Sequence, residues 1–470
     1  MGTRVNVTYQ PGESAQEFGL FTLSYVNPEG MEMLRPIRFD MQQLWAFAHD
    51  TNSVSFDVLI LALIVYNTDK VLNRYLYSED GWRRHIQITN LPVRNRRLMQ
   101  SAKEKLDRSI SFLTGDDWDI NYANAPEYQY NPIGLPSYEA SQYKKVALFS
   151  GGLDSLIGFV DEASRLGKDE KILLVSHMDL GKESADQNGI LNICVANGYF
   201  NEQYTRLLLT AGLYRNDTGI KVPSETTLRS RSLLFFAAGI YLANHINPNM
   251  KLIVPENGTI SLNVPLDEGR RSACSTRTTH PTFIRRFQDA LTAVGILNKL
   301  ENPYRFKSKA DMMSDCCEDD TRKVILRQLY KESCSCAKRG HNRFWDRRGQ
   351  LPSGESISHC GMCLPCLYRR VALHAVGWDE ECYLGTDVLH GINYDWRDKS
   401  KRRTWDFNAL LNFISLRMNE DTIRTELIAN GIRDKRDLDE YTELAMHSYE
   451  QVKEWIAAKA PSEIKHRIGL

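Results

Sequence analysis

The stretch Val146-Ala147-Leu148-Phe149-Ser150-Gly151-Gly152-Leu153-Asp154-Ser155 decides how this chain reads. Its first four residues are apolar, as in a strand buried on both faces. Gly151 and Gly152 then let backbone N–H groups converge with no side chain in the way. From Ser155 to Leu166 the pattern is helical. A helix start presents unpaired N–H groups and the positive end of a dipole, both suited to phosphate. Ser150 and Ser155 add hydroxyl donors. Asp154 repels phosphate, so its expected task is to hold Mg²⁺ or to fix the loop. Neither Gly-x-x-x-x-Gly-Lys-Ser/Thr nor Gly-x-Gly-x-x-Gly occurs in the chain.

Around this turn, Lys171–Val175 and Leu252–Val254 read as buried strands and Leu228–His245 as a helix. Alternating strands and helices predict an α/β fold, a doubly wound parallel sheet covered on both faces. Ser176 and His177 follow the second strand, at the carboxyl edge where such sheets bind ligands. Charge building up on a reacting phosphate needs fixed cations. Arg229, Arg231 and Lys309 are the candidates.

Three regions separate. Residues 1–140 are expected to form an accessory α+β domain, with strands at Thr3–Tyr9 and Leu20–Val26 and helices at Phe56–Leu72 and Ser101–Leu113. Pro126–Pro136 reads as a linker or exposed loop. Residues 141–380 hold the sheet domain. Residues 381–470 read as helical, with Leu438, Tyr441, Ala445, Tyr449, Val452 and Ile456 on one stripe and Asn430-Gly431 as a helix stop. The 470 residues carry 59 basic and 59 acidic side chains, which argues against a globally basic nucleic-acid binder. No apolar run reaches the ~20 residues of a membrane span. With no signal-peptide pattern at the start, the expected location is cytoplasmic.

His359-Cys360-Gly361-Met362-Cys363-Leu364-Pro365-Cys366 places three thiols at a three-residue step, and Cys334 and Cys336 lie upstream. Four thiolates close a tetrahedral, structural Zn²⁺ site. An iron–sulfur cluster on three thiolates is the alternative. Whether Cys334 or Cys336 is the fourth ligand stays open, and His359 and His341 are further substitutes.

The Ser-Gly-Gly-Leu-Asp-Ser turn resembles that of the PP-loop ATP pyrophosphatases, of HUP-type fold. Paired with the late Cys-x-x-Cys-x-x-Cys, it resembles 7-cyano-7-deazaguanine synthase, the QueC type, over residues 144 to 380. His280-Pro281-Thr282-Phe283-Ile284 and Ser308-Lys309-Ala310-Asp311 resemble that family's motifs. Ser333-Cys334-Ser335 resembles its Ser-Cys-Tyr and favours Cys334 as the ligand, with Cys360, Cys363 and Cys366. The resemblance implies ATP, Mg²⁺ and Zn²⁺ as cofactors. It implies a nucleotide site at Ser150, Gly151, Gly152, Leu153, Asp154, Ser155, Ser176 and His177, with Asp154, Ser155, Arg231 and Lys309 catalytic. The implied reaction is that of an AMP-forming C–N ligase on a 7-carboxy-7-deazaguanine. Three departures stand out. Arg270–Arg277 replaces a shorter substrate-holding segment, Ser232 replaces an Asn, and His280 replaces an Arg. The added terminal regions resemble those of enlarged QueC-like proteins of anti-phage defence operons, the Qat type. That implies a partner protein from the same operon, whose amine replaces ammonia as acceptor. A tRNA-modifying PP-loop enzyme, through the basic stretch Trp396–Arg403, and an ATP-binding adaptor without turnover are the alternatives.

Overall fold

The computed structural model describes residues 2–178, 181–214, 225–227, 229–270, 277–337, 359–380, 383, 389 and 405–470. Ten strands form one sheet: β1 (Thr3–Gln10), β2 (Leu20–Val26), β3 (Glu32–Asp40), β4 (His85–Val93), β5 (Asp117–Asn124), β6 (Tyr143–Leu148), β7 (Lys171–Met178), β8 (Tyr204–Leu213), β9 (Leu252–Ile253) and β10 (Leu300–Glu301). Their spatial order is β10-β9-β6-β7-β8-β3-β2-β1-β4-β5.

The five strands β10-β9-β6-β7-β8 are parallel. From β6 the chain moves outward to β7 and β8, then returns to place β9 on β6's other side. The strand order therefore reverses between β6 and β9. Such a switch point opens a crevice at the carboxyl ends of the strands. Both faces are covered, and the residues alternate accordingly. Val146 and Leu148 face one core with Leu173 and Val175, while Ala147 and Phe149 face the other with Ile172 and Leu174.

The expected boundary near residue 140 does not interrupt the sheet. β3 pairs antiparallel with β8 from Ile37↔Leu213 to Asp40↔Thr210. Strand β8 would otherwise be an open edge, and the N-terminal strands cover it. The helix Val54–Val71 is apolar all round, and Val58 to Tyr66 are each 0% exposed. It packs on the helix Arg231–Ile246, where Tyr241 donates to the Ala48 carbonyl at 3.0 Å. The N-terminal region thus supplies part of the covering layer of the same sheet.

The C-terminal stripe is buried along the helix Lys435–Lys459. Its Ser448 meets Thr259 hydroxyl to hydroxyl at 2.6 Å, so this helix lies against the segment that follows β9. Among the described residues, no helix is long and apolar enough to cross a membrane.

Candidate functional site: a glycine turn beside a four-thiol cluster

The glycine turn sits at the switch point. Phe149 N–H donates to the Val175 carbonyl at 2.8 Å, extending the ladder past β6. Gly151 then takes φ +81°, the left-handed conformation that favours glycine. Gly152 caps the helix Leu153–Ala163, whose first internal bond runs from Leu156 N–H to the Gly152 carbonyl at 3.0 Å. The amides of Leu153, Asp154 and Ser155 therefore precede the helical ladder. Leu153 is fully buried and anchors the turn. Ser150 Oγ accepts from Gly152 N–H at 3.3 Å and lies 3.1 Å from Ser155 Oγ, which also donates to the Gly152 carbonyl at 3.0 Å. Two other segments hold the turn from outside. Cys334 N–H donates to the Gly151 carbonyl at 2.9 Å, and Gln187 Nε2 donates to the Ser150 carbonyl at 3.3 Å.

Asp154 is 6% exposed, and Lys309 Nζ stands 2.8 Å from its Oδ1. Asn257 Nδ2 donates to its Oδ2 at 2.7 Å. Burial would raise the Asp154 carboxyl, but the Lys309 charge and hydrogen bonds from Glu256, Lys309 and Asn257 hold it below its ordinary value. Burial and the neighbouring Asp154 push Glu256 well above the carboxylate range. The cluster therefore favours charge on Asp154, paired with Lys309, and disfavours a second negative charge on Glu256. Lys309 opens the helix Lys309–Cys317 inside a capping box made by Ser308 and Asp311. Gln451 of the C-terminal helix bridges that box, accepting from Ser308 Oγ at 2.6 Å and donating to Asp311 at 2.8 Å.

Ser176 and His177 are buried at the end of β7. Ser176 donates to the Phe149 carbonyl at 2.7 Å, so its hydroxyl ties two strand ends together. His177 Nδ1 accepts from Arg231 Nε at 3.3 Å, with the Tyr66 and Phe235 rings edge-on at 5.4 and 5.5 Å. Arg231 opens its helix as expected. Arg229 turns away to the Thr114 carbonyl at 3.0 Å. Ser230 donates through N–H and Oγ to the buried Asp69, at 3.1 and 2.6 Å. Asp69 in turn pairs with Arg84, and Arg84 with Asp116. The N-terminal region thereby fixes the start of the helix that carries Arg231. The structure thus gathers Ser150 to Ser155 and Lys309 into one cluster and sets Ser176, His177 and Arg231 in a second group along the same edge. The sequence assigns no role to Glu256 or Asn257, nor to Gln187, Tyr66 or Asp69.

The thiol cluster differs from expectation at one position. Cys336, Cys360, Cys363 and Cys366 bring their sulfur atoms within 4.8 Å of one another. Cys334 is not in that group, and its amide is bound to the glycine turn. The donor set fits Zn²⁺. Zn–S bonds of about 2.3 Å in a regular tetrahedron separate sulfurs by about 3.8 Å, and Cys360 Sγ lies 3.8 Å from Cys366 Sγ. Met362 and Cys363 N–H groups donate to Cys360 Sγ at 3.4 and 3.3 Å, which favours a thiolate there. Gly361 makes this knuckle at φ +73°, and a Cβ on it would meet the Tyr383 ring at 2.7 Å. His359 is not a ligand; its Nε2 accepts from Ser335 N–H at 3.1 Å. His341, Arg271–Thr276 and Trp396–Arg403 lie outside the described residues. No family model matches the chain, and no curated protein or solved structure matches it.

Proposed function

We propose that this chain is an ATP-dependent, AMP-forming C–N ligase of the 7-cyano-7-deazaguanine synthase-like kind. What carries the reading is the placement of Ser150 to Ser155 at the switch point, with the buried Asp154–Lys309 pair alongside. In this reading the amides of Leu153, Asp154 and Ser155 and the hydroxyls of Ser150 and Ser155 hold the phosphates of ATP. Asp154 and Glu256 are the residues that would hold Mg²⁺, which would supply positive charge to the phosphates, and Lys309 beside them would be the cation for the α-phosphate. Arg231 neutralises charge from the other side of the crevice.

The substrate is a carboxylate of the 7-carboxy-7-deazaguanine class. Its oxygen attacks the α-phosphorus, and the bond from that phosphorus to the bridging oxygen of pyrophosphate breaks. An amine then attacks the acyl carbon, loses its proton to solvent, and the acyl C–O bond breaks to release AMP. The amine is ammonia or belongs to a partner protein of the same anti-phage operon. Electrostatic stabilisation by fixed donors supplies most of the rate in such a site. Zn²⁺ at Cys336, Cys360, Cys363 and Cys366 is structural. It holds the segment whose Cys334 amide pins the glycine turn, and it takes no part in the reaction.

The test is single-turnover AMP release from ATP, Mg²⁺, 7-carboxy-7-deazaguanine and ammonium, comparing wild type with Asp154→Ala. The reading expects AMP from wild type and at least a hundredfold less from the variant. Equal release from both would remove Asp154 from the chemistry. Tight ATP binding with no AMP from either protein would leave the chain an adaptor.

A further inference from the structure

A cleft of about 830 Å³ lies where the helix Lys103–Thr114 ends and β4 and β5 begin. Strand direction places it relative to the glycine turn. β8 is antiparallel to β3, β3 to β2, and β2 to β1, while β1, β4 and β5 are mutually parallel. β4 and β5 therefore run opposite to β6 and β7, and their first residues lie on the edge where β6 and β7 end. The cleft and the glycine turn share one edge of the sheet.

Four arginines line the cleft, and two of them, Arg83 and Arg108, are already paired, with Asp117 and Glu104. Arg277 and Arg286 line it and both stack on Phe112, their guanidinium carbons 4.5 and 4.9 Å from the ring centre. Among the described residues neither has a carboxylate partner. Arg277 binds the Phe112 carbonyl at 3.1 Å and Asn430 at 3.3 Å, yet its Nε is buried without an acceptor. Burial and then neighbouring arginines lower both guanidinium pKa values: Arg286 acts on Arg277, and Arg285, Arg108 and Arg433 act on Arg286. Five carboxylates also line it: Asp80 accepts from the Trp82 and Arg83 N–H groups, both at 2.8 Å, Glu268 stands among them, and the other three are paired with cations. Asp116 pairs with Arg74 and Arg84, Asp117 with Arg83, and Asp107 with Lys103. Trp82 also lines the cleft, with 54% of its surface exposed.

Converging guanidiniums with spare donors suit the oxygens of a phosphate, through bidentate charge-assisted hydrogen bonds. An exposed indole beside them suits a planar ring. The volume falls in the range of small-molecule sites, about 300–1,000 Å³. We infer that this cleft binds the phosphate group of a nucleotide-sized ligand between Arg277 and Arg286, with the ligand's ring against Trp82. The site is built jointly by the N-terminal region and the segment around residue 277. It does not depend on the adenylation reading.

Equilibrium dialysis with inorganic phosphate and, separately, 5′-AMP tests it on the full-length zinc-loaded protein. Three proteins are compared: wild type, Arg277→Gln/Arg286→Gln, and Trp82→Ala. The double variant should lose one bound equivalent of both probes, or bind that equivalent at least tenfold more weakly. Trp82→Ala should weaken 5′-AMP alone. Unchanged binding of both probes by the double variant overturns the site. Unchanged 5′-AMP binding by Trp82→Ala overturns the placement of the ring and leaves inorganic phosphate as the ligand. Phenylglyoxal labelling of the wild-type protein, mapped by mass, gives a readout that needs no variant. Millimolar phosphate should protect Arg286, and equal labelling with and without phosphate contradicts the inference.

Discussion

Replacing Lys309 by Met removes the one cation from the cluster that holds Asp154 and Glu256. The side chain is 6% exposed, and its Nζ lies 2.8 Å from the Asp154 carboxylate, whose pKa its charge lowers. Breaking a buried ion pair from one side costs about 3–5 kcal/mol, because the remaining charge stays desolvated. Protonation of Asp154 offers an escape. Without Lys309, burial is the largest influence left on the Asp154 carboxyl and raises it above its unfolded value, against the hydrogen bonds from Glu256 and Asn257 that still lower it. The folded state then binds more protons than the unfolded one, so its stability falls as pH rises. Lys309→Met should therefore cost about 3–5 kcal/mol at pH 8 and clearly less at pH 5. Adding Asp154→Asn removes the stranded charge, so the double variant should recover about 2 kcal/mol or more at pH 8. Urea unfolding followed by far-ultraviolet circular dichroism at both pH values reads all three quantities. A double variant no more stable than Lys309→Met would refute the account of the cluster.

Three further predictions follow from other parts of the molecule. Cys336→Ser should reduce bound zinc from one equivalent per chain and make the remainder easier to chelate, whereas Cys334→Ser should retain the full equivalent; metal analysis after dialysis against a chelator decides. His280 caps the helix Pro281–Ala293 by accepting Thr282 N–H at 3.1 Å, and burial, with Arg277, Arg285 and Arg286 nearby, pushes its pKa down to about 3. The unfolded state binds the proton first, so stability is lost as pH falls from about 6.5 towards about 3, by about 2 kcal/mol at pH 5. His280→Asn keeps a cap and should flatten that slope in unfolding titrations at pH 7.5 and pH 5. A Cβ at Gly258 would lie 2.2 Å from the Arg305 carbonyl and 2.3 Å from Leu444, so Gly258→Ala should destabilise by about 1–3 kcal/mol in thermal or urea unfolding.

Much of the site was legible because its signals are local. The apolar run ending at Phe149, the glycine pair and the helical pattern after it place a turn without long-range information. The helix Val54–Val71 and the stripe from Leu438 to Ile456 were legible for the same reason. The seam between β3 and β8 was not. The outer residues of β3 are half-exposed and only Ile37 is buried, so the strand carries no clear alternation. In β4 a register shift between Ile88 and Leu91, with Asn90 at φ +59°, breaks the period. β5 does alternate Trp118, Ile120 and Tyr122, a signal that was present. The fourth thiol was undecidable locally. Cys334 and Cys336 are two residues apart and project to the same side of an extended chain. What separates them is long-range: the Cys334 amide is held by Gly151 and the Ser335 amide by His359. The Lys309–Asp154 contact likewise joins segments 155 residues apart, and no spacing rule reaches that far.

The central claim is that the glycine turn positions ATP for cleavage between its α and β phosphates. The most direct measurement incubates the zinc-loaded protein with α-labelled ATP, Mg²⁺ and 7-carboxy-7-deazaguanine, with ammonium as the amine, and separates the labelled products. The account predicts labelled AMP, with pyrophosphate released in equal amount. Labelled ADP with free phosphate would contradict it, because the bond broken would then be the one between the β and γ phosphates.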